Sequence, residues 1–174
     1  MKQSITFYIT LFVIKLKGVK KAFSIDPIDY IHIRKEDIHY PRVNFFKNLE
    51  VCDFKVLKTS ITEVKQENAS GGLLLFIHGG AFISGPAKHH WDTLRTIAKQ
   101  TNLTIWMCNY PKAPEHKITE ISNNIDAVYQ QALKKYKGEQ ITLIGDSVGG
   151  TLVTTLTQRL IQNNDELPNK ILLI

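Results

Sequence analysis

Ser147 stands in Gly145-Asp146-Ser147-Val148-Gly149, directly after the apolar run Ile141-Thr142-Leu143-Ile144 and ahead of Leu152, Leu156 and Leu160. A serine between two glycines, at a turn from a predicted strand into a predicted helix, is the arrangement of an exposed nucleophile. The reason is steric. So tight a turn forces a strained backbone on the serine, and chain segments pass too close for side chains at the flanking positions. Chance would produce G-x-S-x-G only roughly 0.02 times in a chain of this composition and length. A glycine-rich loop holding phosphate at a helix N-terminus is the competing reading. No Lys-Ser/Thr pair follows the glycines, so a Walker-type loop is not supported.

A second segment could serve that serine. His78-Gly79-Gly80-Ala81-Phe82 follows the run Leu73-Leu74-Leu75-Phe76-Ile77 and lies 69 residues before Ser147. Glycines there let backbone N–H groups approach a substrate and point at a developing oxyanion. A third segment, Asn109-Tyr110-Pro111-Lys112-Ala113-Pro114-Glu115-His116, carries two prolines and two ionisable groups. We read it as a rigid loop that packs beneath the site and orients its neighbours.

Positioning these loops requires a regular frame, and the hydrophobic pattern supplies one. Leu73–Ile77 is a continuous apolar run, as expected of a parallel strand buried on both faces. Residues 90–101 place Trp91, Leu94 and Ile97/Ala98 at helical spacing, and 103–108 form a second apolar strand. Ile121, Ile125, Val128 and Ala132 predict a helix over 118–137, with Lys134, Lys135 and Lys137 at its negative end and Gly138 as its stop. Residues 141–144 and 170–174 are further strands, with a helix through Leu152, Leu156 and Leu160 between them. Four strands alternate with three helices, which predicts a parallel α/β sheet with right-handed crossovers. Residues 51–66 alternate more loosely and predict two strands joined by a short turn at a sheet edge. Residues 22–47 read as irregular, broken by Asp26-Pro27 and Tyr40-Pro41.

The chain has 174 residues and a formal charge of +6. Residues 1–65 hold 12 basic and 7 acidic side chains; residues 66–174 hold 10 and 9. The excess is N-terminal, with no Lys/Arg run among aromatics and no zinc-finger spacing, so nucleic acid is not an expected partner. Cys52 and Cys108 have no CxxC or Cys/His company, which argues against a disulfide framework or structural zinc; buried free thiols are expected, fitting a reducing, cytoplasmic setting. Residues 5–16 are mostly apolar, with Lys15, Lys17, Lys20 and Lys21 at their end. They are too short to span a bilayer comfortably, and the lysines fall on the wrong flank for a secretory signal. A helix packed on the rest of the protein is expected, with weak membrane association through residues 5–16 as the alternative.

Taken together, 78–81, 110–116 and 145–150 resemble the hormone-sensitive-lipase-like esterase and lipase branch of the α/β-hydrolases. That branch carries an HGG(G/A) loop, a Y-x-x-A-P-E-H segment and a G-D-S-(A)-G-G elbow. Ala81 stands where a third glycine is usual, and Val148 where alanine is usual. The resemblance covers about residues 45–174. It implies an α/β-hydrolase fold, mostly parallel with helices on both faces, in which residues 1–45 are an N-terminal cap or anchor and 46–174 a partial hydrolase domain with its last strands missing. It also implies carboxylic-ester hydrolysis through Ser147, an oxyanion hole drawn from Gly79, Gly80, Ala81 and Val148, a small-molecule ester substrate, and no metal or organic cofactor.

The family order is nucleophile, acid, histidine. After Ser147 the only acidic residues are Asp165 and Glu166, and no histidine follows. His32, His39, His78, His89, His90 and His116 all precede it, and none is expected to stand in for the missing base. The chain as it stands is therefore expected to be C-terminally truncated and nearly inactive. Its apolar end at 171–174 is expected to be an unpaired edge prone to aggregation. Two other functions remain open on sequence. One is a non-catalytic relative binding a small apolar ligand or a protein partner. The other is a membrane-surface or nucleic-acid module using the basic N-terminal part.

Overall fold

The computed structural model describes residues 4–16, 24, 26–42 and 44–174. The chain divides into two units, Met1–Lys35 and Glu36–Ile174. In the first, α1 (Ile5–Leu16) is a helix whose one charged residue is Lys15. Lys17, Lys20 and Lys21, on which the anchor and signal readings lean, lie outside the described residues. No described helix is long and apolar enough to cross a membrane. A four-residue helix, α2 (Tyr30–Ile33), and a 3-10 turn (Arg34–Glu36) interrupt the stretch expected to be irregular. Asp29 explains the helix: its Oδ1 accepts the His32 N–H at 2.9 Å and caps the first turn.

The second unit is built on a six-stranded sheet. Its strands are β1 (Glu50–Val56), β2 (Thr59–Lys65), β3 (Leu73–Ile77), β4 (Thr104–Asn109), β5 (Ile141–Gly145) and β6 (Lys170–Leu173), in the spatial order β1-β2-β4-β3-β5-β6. The β1–β2 hairpin sits at one edge, and β2 joins β4 antiparallel. The pairs β3–β4, β3–β5 and β5–β6 are all parallel. The apolar runs of β3, β4 and β5 became the two-sided strands, as expected of a sheet covered on both faces.

Three helices provide that cover: α3 (Lys88–Gln100), α4 (Ile118–Leu133) and α5 (Val148–Asn163). Leu73, Leu75 and Ile77 of β3 face a core with Ile121, Ile125 and Val128 of α4 and Leu152 and Leu156 of α5. Leu74 and Phe76 face the opposite core, with Trp91 and Leu94 of α3, and Phe45, Phe46 and Leu49 pack against it. The connection leaving β3 therefore runs over one face and the one leaving β5 over the other. The crevice between their C-terminal ends is the switch point where open α/β sheets place their ligands.

Three expectations need correction. α4 stops at Leu133 instead of Lys137: the Lys135 and Tyr136 N–H groups both turn back to the Ala132 carbonyl, which tightens the chain out of the helix. Gly138 is not a helix-ending glycine but opens a 3-10 turn, Gly138–Gln140. It sits so close to the chain around 166–167 that a Cβ would strike the Leu167 carbonyl oxygen. Cys52 is exposed, because β1 presents most of its residues to solvent at the edge, whereas Cys108 is buried as expected.

Candidate active site

The strand β5 delivers Ser147 to the switch point through a backbone that few non-glycine residues adopt. Ser147 has φ 49° and ψ −118°, and α5 begins at the next residue. Such a conformation costs of order 1–3 kcal/mol and persists only where surroundings impose it. Two of those surroundings are neighbouring strands. The Asp146 N–H donates to the Ile77 carbonyl at 3.0 Å, and the Ser147 N–H donates to the Ile174 carbonyl at 2.8 Å. The flanking glycines are needed for space. A Cβ on Gly145 would lie 2.5 Å from the Gly149 oxygen, and one on Gly149 would strike the Ile77 carbonyl oxygen. Ser147 makes no capping bond with its own side chain.

The loop after β3 faces this elbow. Gly80, Ala81 and Phe82 have φ of 125°, 53° and 64°, a run of left-handed backbone. The turn is closed by the Ile83 and Ser84 N–H groups, which donate to the Gly80 carbonyl at 3.0 and 2.9 Å. Contact with the elbow is direct: a Cβ on Gly79 would lie 2.7 Å from Asp146 Oδ2 and 3.1 Å from Ser147 Cβ. Among the described residues, the amides of Gly80, Ala81 and Val148 donate to no other group. Val148 is free because the first helical residue has no partner four positions back. Gly79 differs in where it is aimed: its N–H lies against the His90 ring, 3.3 Å from Nε2.

Beneath the loop, the segment 109–116 does the work expected of it. The Tyr110 hydroxyl donates to the His78 carbonyl at 2.8 Å, and the two rings stack 4.4 Å apart. The Ala113 N–H donates to the Phe82 carbonyl at 2.9 Å. His116 lies outside the Ser147 elbow, with Nδ1 2.9 Å from Glu120 Oε2. Burial pushes the pKa of His78 well below that of a free imidazole. His78 is thus neutral, and its Nδ1–H donates to the Gly79 carbonyl at 2.6 Å. Among the described residues, no histidine is hydrogen-bonded to Ser147.

The sequence weighs His90 only as a stand-in base for Ser147, and the structure gives it other partners. His90 is buried at the start of α3 with Nε2 2.8 Å from Asp146 Oδ2, beside the nucleophile. The available signal was its place one and two turns before Leu94 and Ala98, on the face that is buried. A polar ring in such a stripe must find partners. His89 is exposed, with Nε2 3.9 Å from the same carboxylate oxygen.

Comparison with known proteins agrees with this geometry. A family profile described as the alpha/beta hydrolase fold matches residues 74–174, the part that carries both loops. An esterase of Acinetobacter venetianus is 34% identical over 113 residues, covering 64% of this chain and 37% of the esterase. Hormone-sensitive lipase of Mus musculus is 30% identical over 112 residues, 62% of this chain and 15% of the lipase. Among solved structures, the hormone-sensitive-lipase homologue EstE7 from a metagenome library superposes with a TM-score of 0.74 at 22% identity, covering all of this chain and 57% of that one. The chain thus spans well under two thirds of the length of these relatives. Its elbow, its left-handed glycine loop and the matched profile make it a member of the α/β-hydrolase fold family, on the side of the esterases and hormone-sensitive-lipase-like proteins.

Proposed function

We propose that the protein is a serine carboxylic-ester hydrolase in which Ser147 Oγ attacks the ester carbonyl. Its N–H donors to the tetrahedral oxyanion are Gly80, Ala81 and Val148. Gly79 supports the loop from behind, since its amide is turned toward His90. The single observation that carries this reading is the close approach of the two loops: a Cβ on Gly79 would lie 3.1 Å from Ser147 Cβ, so the loop that carries the free Gly80 and Ala81 amides packs directly on the elbow. Preset donors cost no reorganisation as charge develops, and one such donor is worth about 10²–10³ in rate. Unpaired Cys52 and Cys108 fit action in a reducing, cytoplasmic setting.

A serine hydroxyl at its ordinary pKa needs a general base to become a good nucleophile. None of the six histidines follows Ser147, so these 174 residues alone should acylate slowly and deacylate more slowly still. With a triad member missing, oxyanion hole and binding leave about 10³–10⁴-fold over water. Incubation with p-nitrophenyl acetate followed by intact and peptide mass measurement tests the reading. An acetyl group should accumulate on Ser147 and disappear in Ser147→Ala, with weak turnover falling to background. Acetylation elsewhere, or an unchanged rate in Ser147→Ala, overturns it.

A further inference from the structure

We propose that His90 is a positioning residue, a neutral imidazole that bolts the loop after β3 to the nucleophile elbow and so holds the two halves of the oxyanion hole in register. The inference rests on the reading of Ser147 given above, but its test does not depend on Ser147 being reactive.

The proton on the ring is settled by its neighbours. The Ala87 N–H donates to His90 Nδ1 at 2.8 Å, so Nδ1 carries the lone pair and Nε2 carries the hydrogen. That hydrogen points at Asp146 Oδ2, 2.8 Å away. The Gly79 N–H, at 3.3 Å from Nε2, is then a packing contact, since a protonated nitrogen accepts nothing. One ring therefore touches three things at once: the start of α3, the first glycine of the oxyanion loop, and the residue before the nucleophile. It is nearly sealed, with its side chain 4% exposed, and it packs edge-on to Phe76 of β3. Burial lowers its pKa, which keeps the ring neutral and the donor–acceptor polarity fixed.

The polarity matters because the halves of the hole come from different elements. Gly80 and Ala81 follow β3; Val148 opens α5. Asp146 joins them: its carboxylate accepts the hydrogen bond from His90 Nε2–H, and its carbonyl accepts the Gly149 N–H at 2.7 Å in the first turn of α5. Displacing the carboxylate shifts the turn that aims the Val148 amide. Functional groups held to within about 0.5 Å need such support from packed neighbours.

The same cluster admits a rival. His89, His90 and Asp146 bring ligand atoms within 4.8 Å of one another, a set that suits zinc. A cation on His90 Nε2 would force the proton onto Nδ1, against the Ala87 N–H, and the bolt would be lost. The geometry favours the bolt.

Nuclear magnetic resonance on the 174-residue chain tests this. Long-range ¹H–¹⁵N spectra of the histidines should show His90 with its proton on Nε2, unchanged by equimolar zinc sulfate. In His90→Phe, which keeps the volume and removes both polar atoms, amide exchange at Asp146 and Gly149 should rise about tenfold or more, with Val128 in α4 unchanged. His90→Gln restores one donor and one acceptor and should bring both amides back near the wild-type rate. A proton on Nδ1, zinc capture at Nε2, or a His90→Phe chain with wild-type exchange at both sites overturns the proposal. Should His90→Phe fail to fold, His90→Gln and the wild-type tautomer still decide. Ser147→Ala should leave the exchange pattern intact, so a wild-type chain whose Ser147 takes up no acetyl group while the pattern is preserved sinks the function and not the bolt.

Discussion

β3 and β6 are written in nearly the same letters, Leu-Leu-Leu-Phe-Ile and Lys-Ile-Leu-Leu, and meet opposite fates. Every residue of β3 is buried, none more than 3% exposed, while Ile171, Leu172 and Leu173 of β6 are 41–56% exposed. Both are parallel strands paired to β5. The difference is company. β3 has a strand on each side and a helix layer on each face, whereas β6 is the outer strand of the described sheet. The apolar letters of these two strands are thus silent about burial, which depends on neighbours.

The most severe break of this contrast should come from Gly149→Ala. Gly149 lies against the end of β3, where an added methyl meets the backbone carbonyl of Ile77, which cannot move aside as a side chain could. We expect destabilisation of more than about 4 kcal/mol in urea unfolding, or no soluble protein. Leu75→Ala follows: in the middle of β3 it leaves a cavity and should cost about 2–5 kcal/mol by the same measurement.

Next is the acid limb of the stability curve. The rim of β3 carries His78 and His90, whose folded pKa values burial pushes below the 6.5 of a free imidazole; the rim of β6 carries no histidine. Below pH 6.5 the unfolded chain binds protons that the folded chain refuses. Stability present above that pH is therefore lost as pH falls toward the folded values, by about 1.4 kcal/mol per unit for each ring. His90→Gln should flatten the limb by up to about that much, as read from unfolding midpoints at successive pH.

Gly150→Ala should do the reverse of its neighbour. A Cβ there meets Leu173 Cδ2 of β6 at 3.6 Å, an ordinary contact, and alanine favours helix, so a gain of up to about 1 kcal/mol is expected. A large loss would show that the β6 side is packed as tightly as the β3 side. The smallest effect is Leu172→Ala, half-exposed, at about 0.5 kcal/mol.

Much of this was legible in the residues. The order of strands and helices follows from periodicity, and the elbow and its facing loop follow from glycines placed where only glycine fits. The 110–116 loop was placed correctly because two prolines and a tyrosine after a strand leave few options. What was not legible depends on neighbours distant in sequence. The end of α4 is decided by a turn onto Ala132 and by the packing of Gly138 under Leu167, and neither shows in a helical wheel. Free thiols are usually buried, but Cys52 lies in the segment that the sequence itself places at a sheet edge, and there it is exposed. His90 was weighed only as a base for Ser147, and its partner Asp146 lies 56 positions away.

The two amides that pin the elbow carry a consequence for heredity. Asp146 and Ser147 hang from carbonyls of Ile77 and Ile174, and a carbonyl is the one group that every amino acid shares. Substitution at 77 or 174 cannot delete either acceptor. The placement of the nucleophile is therefore insulated from genetic drift in the strands that hold it. Mutational fragility is concentrated in the few glycines that let those strands come close.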